Sequence, residues 1–231
     1  MKGHLLLEGG AEFVGKMAEP DMRALELAGG WEARVSILPT AAAPDHNDRH
    51  AGQNGVRWFE QLGATHVSSL PLVDPASANL PSLAQALRDS RLIYLLGGFP
   101  RYLGETLANS SSWQAVLQAY AAGAVVGGSS AGAMVLCEHY YDPETQSIQP
   151  GLTLIPAICV IPHYDTFGNK WPSRLSTELP GVLLLGIDEQ TGLLDDGPDG
   201  EWTVYGKGSV TLFKEDKAKT YRAGESLALS F

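Results

Sequence analysis

The sequence predicts an α/β protein: a mostly parallel sheet, helices on both of its faces, and a β-rich C-terminal margin. Three observations carry that prediction. Short apolar runs alternate with amphipathic segments over most of the chain, the order of repeated strand–helix units. Several runs are apolar at every position, which suits strands covered on both faces. The runs stop at glycine pairs such as Gly9-Gly10 and Gly97-Gly98, where a strand turns toward the next helix.

Residues His4 to Glu8 read as the first strand. Pro20 to Ala28 read as a helix with proline in its first turn and Gly29-Gly30 as its stop. Arg34 to Leu38 form the next strand, closed by Pro39. Asn47 to Leu62 space Val56, Phe59 and Leu62 helically and end at Gly63. His66 to Leu70 make a weaker strand and Leu83 to Arg88 a short helix. Arg91 to Leu96 are a near-continuous apolar strand, followed by helices at residues 102–108 and 112–122. Ala124 to Val126 read as a buried strand and Ala131 to Glu138 as a helix. Ile158 to Ile161 and Val182 to Ile187 are further strands of the same sheet. Past Gly192 the texture is hairpin-like, with polar turns at Asp195 to Gly200 and Glu215-Asp216-Lys217.

The 231 residues suit one domain spanning 1–231. Hydrophobic residues at 44% against 18% charged support a core and argue against disorder. A net charge of −10 has the wrong sign for a nucleic-acid partner. No apolar run approaches the roughly 18 residues of a membrane span, and the stretch at Leu5-Leu6-Leu7 is too short for a secretory signal. A soluble cytoplasmic protein is the expectation, with a homodimer allowed. Cys137 and Cys159 lack a Cys-x-x-Cys pattern and read as two buried thiols.

The sharpest chemical signal is Gly128-Ser129-Ser130-Ala131-Gly132, a Gly-x-Ser-x-Gly pattern between a predicted strand and a predicted helix. A serine on so tight a turn is held in a strained backbone conformation with its hydroxyl exposed. Side chains two positions to either side would meet neighbouring backbone, so both must be small. The helix that follows offers amide donors to an oxyanion. Ser129 is the poorer nucleophile, because its flanks are Gly127 and Ala131.

A serine nucleophile needs a base. His46, His50 and His66 read as solvated surface groups, His4 lies at the mouth of the first strand, and His139 is carried away by the elbow helix. His163 closes the run Ile158 to Pro162, at a strand's carboxyl end, where this architecture collects its ligands. Gly186-Ile187-Asp188-Glu189 offers two acids on opposite sides of a strand, and Asp165 is a further possibility. Spacing does not choose among them. The order serine, histidine, acid differs from the α/β-hydrolase order, in which histidine comes last. A second oxyanion donor is expected from Leu95 to Pro100, at Gly98.

These segments resemble the serine peptidases that include cyanophycinase and dipeptidase E. Gly9 to Phe13, Leu95 to Gly98 with Tyr102-Leu103 and Thr106-Leu107, Gly128 to Ala133, Pro162-His163-Tyr164 and Gly186 to Glu189 carry the likeness. The resemblance implies a three-layer αβα fold of the class I glutamine amidotransferase-like type, and a Ser-His-Glu triad, here Ser130, His163 and Glu189. It implies an oxyanion hole at the Gly98 and Ala131 amides and no metal or organic cofactor. It also implies substrate contacts from Phe99, Ser129, Tyr164 and Arg174. Serine at the elbow argues against the glutaminase chemistry of the cysteine enzymes sharing that fold. Ile161-Pro162-His163-Tyr164 departs from the Asp-Gln-His-Phe of cyanophycinases, and no arginine follows before Arg174-Leu175. The histidine segment is closer to that of dipeptidase E. The expected reaction is hydrolysis of a small peptide; the rival readings are an esterase and a non-catalytic binding protein on the same scaffold.

Overall fold

A computed structural model describes residues 3–214 and 217–229. The first two positions of the predicted turn at Glu215-Asp216-Lys217 lie outside the described residues. Five strands, β1 (Leu5–Glu8), β2 (Arg34–Leu38), β3 (His66–Ser69), β4 (Leu92–Leu95) and β5 (Val125–Ser129), pair in parallel in the spatial order β1-β5-β4-β2-β3. Helices α1 (Ala18–Leu27) and α2 (Asp48–Gln61) contribute Ala24, Leu25 and Phe59 to the core on one face, with Leu6, Ile37 and Tyr94 from the strands. On the other face α3 (Pro81–Arg88), α4 (Pro100–Leu107), α5 (Ser111–Ala121) and α6 (Ala131–Leu136) pack against Leu5, Leu7, Ile93 and Leu95. Successive strand side chains thus enter opposite cores, which is why these runs are apolar at every position.

Local signals set several boundaries. Proline opens α3 and α4, where its missing N–H costs nothing. The Ser110 hydroxyl caps α5 by accepting the Trp113 amide at 3.0 Å. The elbow helix α6 stops at Leu136, two residues short of the predicted end, because Cys137 turns extended and bridges to Ile155. A hairpin that the apolar pattern does not announce follows, β6 (His139–Asp142) with β7 (Ser147–Pro150).

The remaining strands divide between two sheets. These are β8 (Ile158–Ile161) and, past helix α7 (Pro172–Glu178), β9 (Leu183–Ile187), β10 (Thr191–Leu194), β11 (Glu201–Gly206), β12 (Ser209–Lys214), β13 (Lys217–Arg222) and β14 (Ser226–Ala228). Strands β10, β11 and β14 extend the main sheet beyond β1 in antiparallel fashion, completing eight strands. Strands β8 and β9, predicted for the parallel sheet, instead form a separate four-stranded sheet in the order β13-β12-β9-β8. Burial on both faces marks a strand but does not say which sheet receives it. Ile158 and Val160 face the large core, while Cys159 and Ile161 face a smaller one with Leu175 and Tyr141. Both cysteines are free and buried, and burial pushes the Cys159 thiol up to about 12. Among the described residues no helix is long and apolar enough to cross a membrane.

Candidate active site

Strand register brings three loops together. Glu8 pairs with Ser129, and Leu95 pairs with Gly128, so β1, β4 and β5 end side by side at Gly9, Leu96 and Ser130. Ser130 sits at φ 48°, ψ −111°, a conformation that costs a non-glycine residue about 1–3 kcal/mol. Its amide donates to the Glu8 carbonyl at 3.0 Å. The flanking glycines are sterically required. A Cβ on Gly128 would lie 2.5 Å from the Gly132 carbonyl carbon, and one on Gly132 would lie 2.1 Å from the Leu95 oxygen.

The second sheet delivers the other two groups. Strands β8 and β9 run parallel, with Ile161 opposite Gly186, so His163 and Glu189 leave their ends as neighbours. His163 Nε2 is 2.9 Å from Ser130 Oγ, and Nδ1 is 2.8 Å from Glu189 Oε1. Glu189 faces the histidine because adjacent strand-end residues point apart: Asp188 turns away and accepts from the Ser209 amide and hydroxyl at 2.8 and 2.7 Å. Asp165 accepts the Glu189 amide at 2.8 Å and so steadies the loop that carries the acid.

The loop after β1 joins the two sheets. The Gly9 carbonyl accepts the His163 amide at 2.7 Å, and the Gly10 carbonyl accepts the Gln190 amide at 3.0 Å. Gly10 lies against the imidazole itself; a Cβ there would come within 2.2 Å of His163 Cε1. Phe167 stacks on the ring's flank at a centroid distance of 4.8 Å and is half exposed. His163 also has a positive φ of 50°. Gly10 belongs to a segment the sequence marks, but its place against the ring, and that of Phe167, is found only when the ring's neighbours are known.

Gly98 has φ 136°, and a Cβ on it would strike the Ala41 carbonyl oxygen at 2.3 Å. Among the described residues neither the Gly98 nor the Ala131 amide has an intramolecular acceptor, whereas the Phe99 amide is used on the Ala41 carbonyl at 2.9 Å. Gly98 lies in the loop after β4, and Ala131 follows Ser130 directly as the first residue of α6. Phe99 itself is partly exposed beside Gly98.

Three of the residues expected to contact substrate have partners elsewhere in the fold. Ser129 is fully buried, and its hydroxyl donates to Glu12 Oε2 at 2.9 Å. The Tyr164 ring packs over Gly186 and against Phe213, on the second sheet's outer core. Arg174 is engaged by Glu178 at 2.5 Å, the Gln146 carbonyl at 2.8 Å and the Tyr141 ring, and no donor is aimed at Ser130. A neighbour in sequence to a site residue need not share its direction.

Behind the site lie two wholly buried carboxyls. Tyr94 donates to Glu8, and Trp58 Nε1 donates to Asp21 Oδ2 at 2.8 Å. Burial, then the nearby Asp21 charge, raises the Glu8 carboxyl well above the usual range; burial raises Asp21 to about 7. Among the described residues Glu8 Oε1 and Asp21 Oδ1 have no hydrogen-bond donor, and burial favours the protonated form of both carboxyls. Among the described residues no group of three or more His, Cys, Asp or Glu side chains is arranged to hold a metal ion.

Comparison with known proteins places the chain in a family. The sequence model of peptidase family S51 matches residues 5–199. A cyanophycinase from Geminocystis herdmanii (strain PCC 6308) is 28% identical over 224 residues, covering 92% of this chain and 80% of that protein. A cyanophycinase from Trichormus variabilis (strain ATCC 29413 / PCC 7937) is 28% identical over 197 residues, 80% of this chain and 64% of that one. Among solved structures, a peptidase from an acI-B1 Actinobacterium superposes with a TM-score of 0.89 at 30% identity, covering 99% of this chain and 98% of its own. A putative peptidase E from Listeria monocytogenes EGD-e shares the fold at a TM-score of 0.64 and 19% identity, covering 97% and 100%. The chain belongs to peptidase family S51, and with it to the serine peptidases.

Proposed function

We propose that this serine peptidase cleaves a small peptide through an acyl-enzyme formed on Ser130. His163 Nε2 takes the hydroxyl proton as Ser130 Oγ attacks the scissile carbonyl carbon, then gives it to the departing amine. Glu189, bonded to Nδ1, holds the ring in the tautomer that leaves Nε2 free to accept, and offsets the charge of the imidazolium. The Gly98 and Ala131 amides receive the oxyanion; fixed donors of this kind lower the barrier by about 3–4 kcal/mol each. Water then attacks the ester with His163 again as base.

The observation that carries this reading is the single imidazole bridging Ser130 and Glu189 at 2.9 and 2.8 Å. Exposed apolar side chains follow three of the site's loops, Val14, Phe99 and, stacked on His163, Phe167, which suits a short or extended peptide better than a folded surface. The nearer match of Pro162-His163-Tyr164 to dipeptidase E favours a dipeptide over a polymeric substrate. A panel of dipeptides differing in the first residue, incubated with the wild type and with Ser130→Ala, tests the proposal. Turnover of at least one dipeptide, abolished in the variant, supports it; turnover that survives the substitution overturns it.

A further inference from the structure

The imidazole of His163 carries an aromatic side chain that the scheme above leaves without a role. The backbone after the histidine doubles back: the His163 carbonyl accepts the Thr166 amide at 3.1 Å and the Gly168 amide at 2.9 Å. That turn requires Gly168, since a Cβ there would lie 2.3 Å from the Pro162 oxygen. The turn lays Phe167 on the imidazole, ring on ring at 4.8 Å and 24°. Trp171 packs edge-on against the same phenyl ring at 5.7 Å, and Tyr141 packs on Trp171 at 4.8 Å. Phe167 is thus fixed by a closed turn and two aromatic contacts, yet it is 46% exposed and joins none of the buried apolar clusters. A rigid apolar surface left open beside a catalytic base is suited to contact substrate.

We propose that Phe167 forms the floor of the leaving-group subsite, so that the enzyme selects an apolar residue, such as leucine or phenylalanine, immediately after the scissile bond. This inference rests on Ser130 being acylated with His163 as the acid, and its test keeps the two apart. In that reaction the departing nitrogen comes within about 3 Å of His163 Nε2 to receive its proton. The Cα of the departing residue lies one bond further, about 1.5 Å. Its side chain therefore starts within about 4.5 Å of Nε2, in reach of the ring stacked on the imidazole. Four groups contact that imidazole: Glu189 at Nδ1, Ser130 at Nε2, Gly10 over Cε1 and Phe167 on its flank. Of these four only Phe167 presents an apolar side chain to solvent. The contact forms on binding and persists through the reaction, so its effect falls mainly on KM.

The test uses dipeptides that share the fastest first residue of the panel above and carry glycine, leucine, phenylalanine or aspartate second. They are assayed on wild type, Phe167→Leu and Phe167→Ala. The wild type is expected to favour leucine and phenylalanine over glycine and aspartate by at least about tenfold in kcat/KM, chiefly through KM. Phe167→Ala is expected to compress that ratio to within about threefold, and Phe167→Leu to keep most of it. The ratio is the readout because a misplaced His163 or a folding defect lowers every substrate alike and cancels. A wild type without the apolar preference, or a wild-type ratio retained in Phe167→Ala, overturns the assignment of Phe167. A wild type that turns over none of the dipeptides overturns both readings, and turnover that persists in Ser130→Ala overturns the nucleophile itself.

Discussion

Replacing Gly10 by alanine tests how closely the first loop holds the base. The new methyl would sit 2.2 Å from His163 Cε1, 2.7 Å from Nδ1 and 2.8 Å from Nε2, while ordinary contact begins near 3.4 Å. The ring must therefore move by about 1.2 Å, or the loop must move instead. The loop is tied through the Gly9 and Gly10 carbonyls to His163 and Gln190, so it resists. Its φ of 122° also suits glycine alone, adding about 1–3 kcal/mol of strain. A displacement of about 1 Å at a catalytic contact costs roughly 10²-fold in rate. We expect Gly10→Ala to fold, with a melting temperature lowered by several degrees, and to lose at least about 10²-fold in kcat. Steady-state kinetics beside a thermal melt reads both. Wild-type kcat in a folded Gly10→Ala protein would refute the reasoning.

Three other substitutions sample the same account. Glu189→Gln should lower kcat by about 10²–10⁴-fold, whereas Asp188→Asn, which loses only bonds to Ser209, should change kcat less than about threefold; parallel losses in the two would assign the wrong acid. Gly132→Ala, with its methyl 2.1 Å from the Leu95 oxygen, should cost at least about 2 kcal/mol in denaturant unfolding, and an unchanged midpoint would contradict the elbow's packing. The folded state keeps a proton on Asp21 up to about pH 7 that the unfolded chain releases near pH 4. That stability is thus complete below pH 4 and is lost as pH rises through about 7. Melting temperatures from pH 5 to pH 8 should fall more steeply in the wild type than in Asp21→Asn, and equal slopes would count against the buried pair.

The parallel half of the fold is legible because β1, β4 and β5 are buried on both faces and run into glycines, a pattern that other local structures rarely produce. The elbow is legible because its small flanks form a local pattern, Gly128 abutting Gly132 within the turn and Gly132 abutting Leu95 on the neighbouring strand. What sequence does not carry is long-range partnership. Strands β8 and β9 have the same apolar character as β4, yet pair with each other and, through β9, with β12, a choice made by tertiary packing. The acid is ambiguous on spacing because Asp188 and Glu189 differ only in which side of the strand they leave. Glu12 sits 118 positions before Ser130 in an unremarkable loop, and only the fold brings its carboxylate beside Gly97. Tyr164 and Arg174 follow His163 closely in sequence, yet their side chains pack against Gly186 and Phe213 and against Glu178 and Tyr141, contacts that only the fold reveals.

The most direct measurement is the mapping of a fluorophosphonate adduct by mass spectrometry on the intact protein and its peptides. The account predicts one adduct, on Ser130, lost in Ser130→Ala and formed at least about 10²-fold more slowly in His163→Ala. An adduct on Ser129 or another residue, or none on an otherwise active enzyme, would contradict it.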